Sequence, residues 1–170
     1  GSLMTGSALA AEIKTVNHVD IKLYMGQWYE IAAIPQSFQK QCVKDTQAYY
    51  ELTDQGSVKV LNSCTDKNGK VDSAEGRAKI TDKNTNAKLK VTFVKIFKWA
   101  FALGGKYWIV DLAPDYRYAL VGHPTLKYAW ILSRTPDLNP IQLNQVAKSL
   151  TDNGYDLCQL KTTVQTGGLD

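Results

Sequence analysis

The feature that most constrains this chain is an alternation of apolar and polar residues from Trp28 to Ser133, broken at short intervals by turn residues. A side-chain period of two belongs to β-strands, where successive residues face opposite sides of a sheet. The breaks "TDQGS", "DKNGK", "TDKNTN", "ALGG", "APDY" and "GHPT" are rich in Gly, Pro, Asn and Asp, which reverse a chain tightly. Strands are therefore expected near 27–34, 44–53, 57–65, 73–81, 87–95, 105–112, 117–123 and 127–134. One segment departs from the pattern. Asn139 suits an N-cap and Pro140 the first helical position, Leu143, Val146, Ala147 and Leu150 make one apolar stripe, and Gly154 stands just past the end. A short last strand, "LCQLKTTVQ", follows this helix.

Eight sequential antiparallel strands make the fold all-β, either a sandwich or an up-and-down barrel. The faces favour the barrel. Ala48, Tyr50 and Leu52 share one side, as do Val58, Val60 and Asn62, then Gly76, Ala78 and Ile80, then Leu89, Val91 and Phe93. Those inward faces are apolar but small, with Ala32, Ala48, Gly76, Ala78 and Ala119 among them. A sandwich would fill that space with Leu, Ile and Phe, whereas an eight-stranded barrel has room inside for one small ligand.

At 170 residues the chain makes one domain, placed at 16–165 with a tail at 166–170. Residues 1–15 read as a cloning scar at Gly1-Ser2, a signal-peptide remnant and a flexible N-terminus. Ala8-Leu9-Ala10 has the small-x-small form of a signal-peptidase site, so an exported protein is expected. No apolar run approaches the roughly 18 residues that would span a bilayer as a helix. The net charge of +4 is far below what a nucleic-acid binder is expected to carry. Cys42, Cys64 and Cys158 have no zinc-type spacing. Across a hairpin, Cys42 with Cys64 is the preferred pair. If Leu52 faces Val58, however, Cys64 sits opposite Thr46, and reaching Cys42 requires a bulge or bend. Cys42 with Cys158, and three free thiols, stay open as alternatives.

Three stretches carry a family resemblance. "GQWYEIAAIP" from Gly26, "DYRYALVG" from Asp115 and "YAWILSRTP" from Tyr128 resemble, in order and separation, the motif regions of lipocalins, over roughly residues 16–165. The match looks closest to the bacterial outer-membrane branch and to apolipoprotein D. It implies an eight-stranded antiparallel up-and-down β-barrel, the lipocalin calyx, open at one end, with one C-terminal α-helix on its side and a short final strand. Gly26, Trp28 and Arg134 would then form the closed end, with the Arg134 guanidinium laid over the Trp28 indole; such a contact contributes on the order of 1 kcal/mol. Carried over position by position, Ala32, Phe38, Ala48, Tyr50, Val60, Asn62, Ala78, Val91, Phe93, Tyr107, Val121, Tyr128 and Trp130 would line the cavity or its mouth.

No catalytic signature accompanies these motifs. G-x-S-x-G, a phosphate loop and H-E-x-x-H are absent, and His18 and His123 suit surface or turn positions. No enzyme activity, cofactor or metal is expected, and a thiol-dependent enzyme built on Cys42 is the runner-up. A structural envelope protein with a filled barrel is the third reading. The expected partner is a small hydrophobic ligand such as a fatty acid or lysophospholipid in the bacterial envelope, periplasm or outer membrane; the oligomeric state is left open. Lys95, Phe97, Lys98, Trp99 and Phe101 interleave aromatics with lysines between the fifth and sixth strands, which suits either peripheral membrane contact or a lid over the cavity.

Overall fold

The structure, a computed structural model, describes residues 13–93 and 105–168; the side chains of Phe38 and Phe93 lie outside that description. A single turn of helix, α1 (Ile21–Tyr24), precedes the barrel, capped by the Asp20 carboxylate on the Lys22 and Leu23 N–H groups. The strands then run β1 (Gly26–Ala33), β2 (Lys44–Leu52), β3 (Val58–Thr65), β4 (Val71–Ile80), β5 (Lys88–Phe93), β6 (Gly105–Leu112), β7 (Tyr118–Gly122) and β8 (Ala129–Ser133). Each pairs antiparallel with the next, and β1 pairs with both β8 and β2, which closes the ring. The expected up-and-down barrel is the observed one.

Helix α2 (Pro140–Asp152) is capped as its sequence indicates, with the Asn139 side chain accepting from the Gln142 N–H and Gln142 reaching back to Asn139. Its buried stripe is narrower than the spacing suggests. Val146 and Leu150 are buried whereas Leu143 is 40% exposed, and the interface is completed by Leu138 before the helix and Tyr155 after it. This outer core packs the helix over Val110, Leu120 and Ile131.

Three one-residue irregularities, in β1, in β2 and between Ile109 and Asp111 of β6, decide which side chains enter the barrel. In β2 the pairing runs in register from Leu52 opposite Val58 to Gln47 opposite Ser63, then shifts so that Lys44 faces Thr65, with Asp45 at φ +56°. That is the bulge a Cys42–Cys64 bridge requires, and the disulfide forms with its Cα atoms 5.5 Å apart. In β1 the register slips between Glu30 and Ala32. Trp28 and Glu30 face inward, but Ala32 is turned outward and packs in the helix-side core, so its expected place on the cavity wall is corrected.

Beyond that slip β1 and β2 diverge, and the gap is occupied by the C-terminal segment. Strand β9 (Lys161–Thr162) pairs with Ala32 and Ala33. The Asp45 N–H donates to the Val164 carbonyl, and the Gln165 side-chain amide donates to the carbonyls of both Glu30 and Thr46, 2.8 Å each. The Asp45 carboxylate in turn accepts from the Thr166 N–H and hydroxyl.

Candidate ligand cavity

The closed pole is built around Trp28, which is fully buried. Its indole N–H donates to the Tyr24 carbonyl at 2.8 Å, and the Arg134 guanidinium lies 3.7 Å from the ring centroid. Arg134 also donates to four main-chain carbonyls, those of Leu23, Met25, Gln27 and Tyr116. Gly26 is required beside it: its φ of +99° lies in the left-handed region, and an added Cβ would sit 3.5 Å from the guanidinium. Gly26, Trp28 and Arg134 thus come together at the end of the barrel where β1 begins.

The interior above is hollow. The main cavity encloses about 730 Å³, its open mouth included, and its walls carry Ala48, Tyr50, Val60, Asn62, Val91, Tyr107, Val121 and Trp130 from the sequence-derived set. Ala78 faces a second, deeper recess with Ile21, Met25, Val58 and Leu89. Tyr50, Tyr107, Val60 and Val91 belong to both walls. Tyr128 is not among the lining residues. It precedes β8, and its ring lies between those of His123 and Trp130 in the turn at the open end. The side chains of Phe38 and Phe93, and all of Lys95, Phe97, Lys98, Trp99 and Phe101, fall outside the described residues.

Polar groups that the sequence reading passed over complete the cavity. Glu30 is 7% exposed and its carboxylate accepts from the Thr163 hydroxyl at 2.6 Å. Burial pushes its carboxyl above the usual glutamate range, and the Thr163 hydrogen bond opposes part of that shift. Alternation from Trp28 would have found it, because positions 28 and 30 share a parity. Leu132 completes the apolar wall, while Thr46, Gln47, Ser63 and Lys106 ring its upper part.

At the junction of the two chambers stand three tyrosines. The hydroxyls of Tyr24 and Tyr50 are hydrogen-bonded to that of Tyr107 at 2.7 and 2.9 Å, and the rings of Tyr24 and Tyr50 stack 5.9 Å apart. Burial raises all three hydroxyl pKa values, that of Tyr50 to about 12, so the cluster is neutral. Three hydroxyl protons serve two hydrogen bonds, which leaves one for an acceptor from outside the cluster. Tyr24 comes from α1, ahead of the barrel, and no strand periodicity announces it.

The chain matches the family model for a lipocalin-like domain over residues 19–165. It belongs to the lipocalin family. The curated relatives of this lipocalin come from several kingdoms. It is 40% identical over 157 residues to temperature-induced lipocalin-1 of Arabidopsis thaliana, a match spanning 91% of this chain and 84% of that protein. Apolipoprotein D of Rattus norvegicus is 39% identical over 155 residues, 86% of this chain and 77% of the other. The outer membrane lipoprotein Blc of Escherichia coli K12 is 35% identical over 156 residues, 91% and 84% respectively. Among solved structures, insecticyanin of the tobacco hornworm Manduca sexta superposes with a TM-score of 0.71 at 23% identity, covering 91% of this chain and 85% of that one, a likeness of fold. Lipocalins generally bind small hydrophobic ligands, and the hollow barrel of this member has the shape for one.

The runner-up reading fares worse. The Cys42 sulfur is joined to Cys64, so it offers no free thiol, and Cys158 is exposed on the surface away from the cavity lining. Asp111 and Asp115, four residues apart across a proline turn, are engaged separately. Asp115 accepts from the Arg117 N–H in its turn, while Asp111 accepts from the Leu112 N–H and from the Ser149 hydroxyl of the helix.

Proposed function

We propose that this lipocalin binds and ferries fatty acids and lysophospholipids in a bacterial cell envelope, without covalent chemistry. The observation that carries the reading is the apolar cavity, bounded below by the tyrosine cluster and open to solvent at the other pole beside Lys106. An acyl chain fits its walls, with an anionic or zwitterionic head at the rim near Lys106, Asn62 and Ser63. Ten buried methylenes contribute roughly 8 kcal/mol before ordering costs, enough for micromolar binding without a buried ion pair. The disulfide favours an oxidising compartment, which accords with export. The relationship to Blc, named as an outer membrane lipoprotein, supports the envelope assignment.

The test is displacement of a fluorescent fatty acid together with mass spectrometry of lipid extracted from the purified protein. Acyl lipids in the extract, and a loss of probe binding of about tenfold or more in a folded Val60→Trp variant that fills the cavity, are expected. An extract without lipid and a native protein that does not take up the probe would overturn the reading.

A further inference from the structure

The outer surface of β3 to β6 carries a charge distribution that neither the fold nor the cavity needs. Helix α2 packs over the neighbouring part of the barrel, and this face is left uncovered. Its outward side chains include six cations, Lys59, Arg77, Lys79, Lys88, Lys90 and Lys106, against the carboxylates of Glu75 and, where β6 meets the helix, Asp111, while Glu51 of β2 stands directly opposite Lys59. Counting Glu75 and Asp111, that face carries four net positive charges, equal to the +4 of the whole chain.

The arrangement is costly in the isolated protein. Lys79 lies directly opposite Lys90, and Lys90 directly opposite Lys106, giving one row of three ammonium groups across adjacent strands. Like charges at directly opposed positions destabilise a sheet. None of the six has a carboxylate within ion-pair distance among the described residues, where the ion pairs are Arg117 with Asp115 and Lys148 with Asp152. Asp82, in the turn before Lys88, accepts from the Asn84 N–H, and its carboxyl is held below the usual aspartate range by a Thr85 hydrogen bond and, more weakly, by the Lys88 ammonium, which is a partial counter-charge for that one lysine. At the edge of the face, the half-buried Trp108 indole has the Lys88 ammonium 4.2 Å from its ring and the Lys106 ammonium 5.8 Å away.

We propose that this face docks the protein on an anionic lipid bilayer. With strands about 4.8 Å apart, the lysine row spans roughly 10 Å, wide enough to meet several headgroups at once. A flat sheet of lysines beside an amphipathic indole suits the headgroup layer, where the ammonium groups meet phosphate and the ring reaches the acyl boundary. The repulsion within the row is relieved on such a surface. The row starts at Lys79, next to the last residue of β4, and ends at Lys106, which also lines the main cavity. Lys106 is shared with the rim of the cavity, whereas Arg77, Lys79 and Lys90 are not among its lining residues.

The experiment is co-sedimentation of the full chain with phosphatidylcholine vesicles, with and without about a third phosphatidylglycerol, at low and high salt. Binding to the anionic vesicles only, released by salt, is expected. The Arg77→Glu, Lys79→Glu, Lys90→Glu variant should lose about a hundredfold in partitioning, since each basic residue near such a surface is worth roughly 1 kcal/mol. Its uptake of a fluorescent fatty acid should be unchanged, which separates this result from failure of the cavity reading. A control with the same change of charge elsewhere, Lys22→Glu, Lys127→Glu, Lys161→Glu, should keep binding within about threefold. Equal losses in the two variants, equal binding to neutral vesicles, or binding to heparin with none to anionic vesicles would each overturn the proposal.

Discussion

Two side chains, Arg134 at the closed pole and Glu30 within β1, illustrate how single residues carry this fold. Arg134 holds four carbonyls from two segments of the chain, three within residues 23–27 and one at Tyr116, while lying against Trp28. Arg134→Ala leaves those carbonyls without their donor and should lower stability by about 3 kcal/mol in urea unfolding, with Arg134→Lys recovering only part, because an ammonium cannot reach all four in the guanidinium's plane. A loss below about 1 kcal/mol would show the closed end to be held by packing alone. Glu30 carries a pH dependence. Its folded carboxyl titrates above the usual range because it is buried, so the native state holds its proton more tightly than the unfolded chain does. That contribution is fully present at pH below the unfolded glutamate value and is lost as pH rises through the raised one. Glu30→Gln should therefore flatten the fall of the urea midpoint over mildly acidic to neutral pH, and an unchanged slope would assign the dependence to other groups. The sequence made Arg134 legible, through a motif and an even spacing from Trp130. Glu30 sat in the same motif as Trp28 at the same parity, yet a charged residue inside an apolar barrel runs against hydrophobic patterning and was passed over.

At the level of whole elements, turn chemistry and alternation located all eight barrel strands to within a few residues, because each strand has one face in the barrel and the other turned outward. Pattern failed where the backbone gains a residue. The slip in β1 reverses Ala32, and the slip in β2 brings Cys42 toward Cys64; only the second had a covalent clue to reveal it. The closing of the gap between β1 and β2 by residues 161–166 left no signal either, since it depends on two main-chain carbonyls meeting one glutamine amide. Gln165→Leu leaves the Glu30 and Thr46 carbonyls unpartnered and should cost about 2 kcal/mol, with faster amide hydrogen exchange confined to β1 and β2. Uniform loss of protection across the barrel would mean the segment is not a local clasp. On the basic face, Lys90→Glu should raise the melting temperature modestly, by relieving repulsion from both flanking strands; a lowered one would place compensating anions there.

Over the whole molecule, the disulfide joins the open-end loop to β3 across 22 residues of sequence and should be worth about 3 kcal/mol of stability, read from unfolding with and without reductant. It spans the wall of the main cavity, so the reduced protein should also lose affinity for a fatty acid probe; unaltered affinity would show that the mouth keeps its shape without the bridge. The tyrosine layer has a reach beyond neutrality and packing. Because it stands partway down the barrel, a saturated tail gains affinity with every added carbon only until its tip meets the hydroxyls, and further carbons must bend back or part the rings. The barrel would then behave as a ruler, with dissociation constants that fall steadily across a homologous series and level off at one particular length.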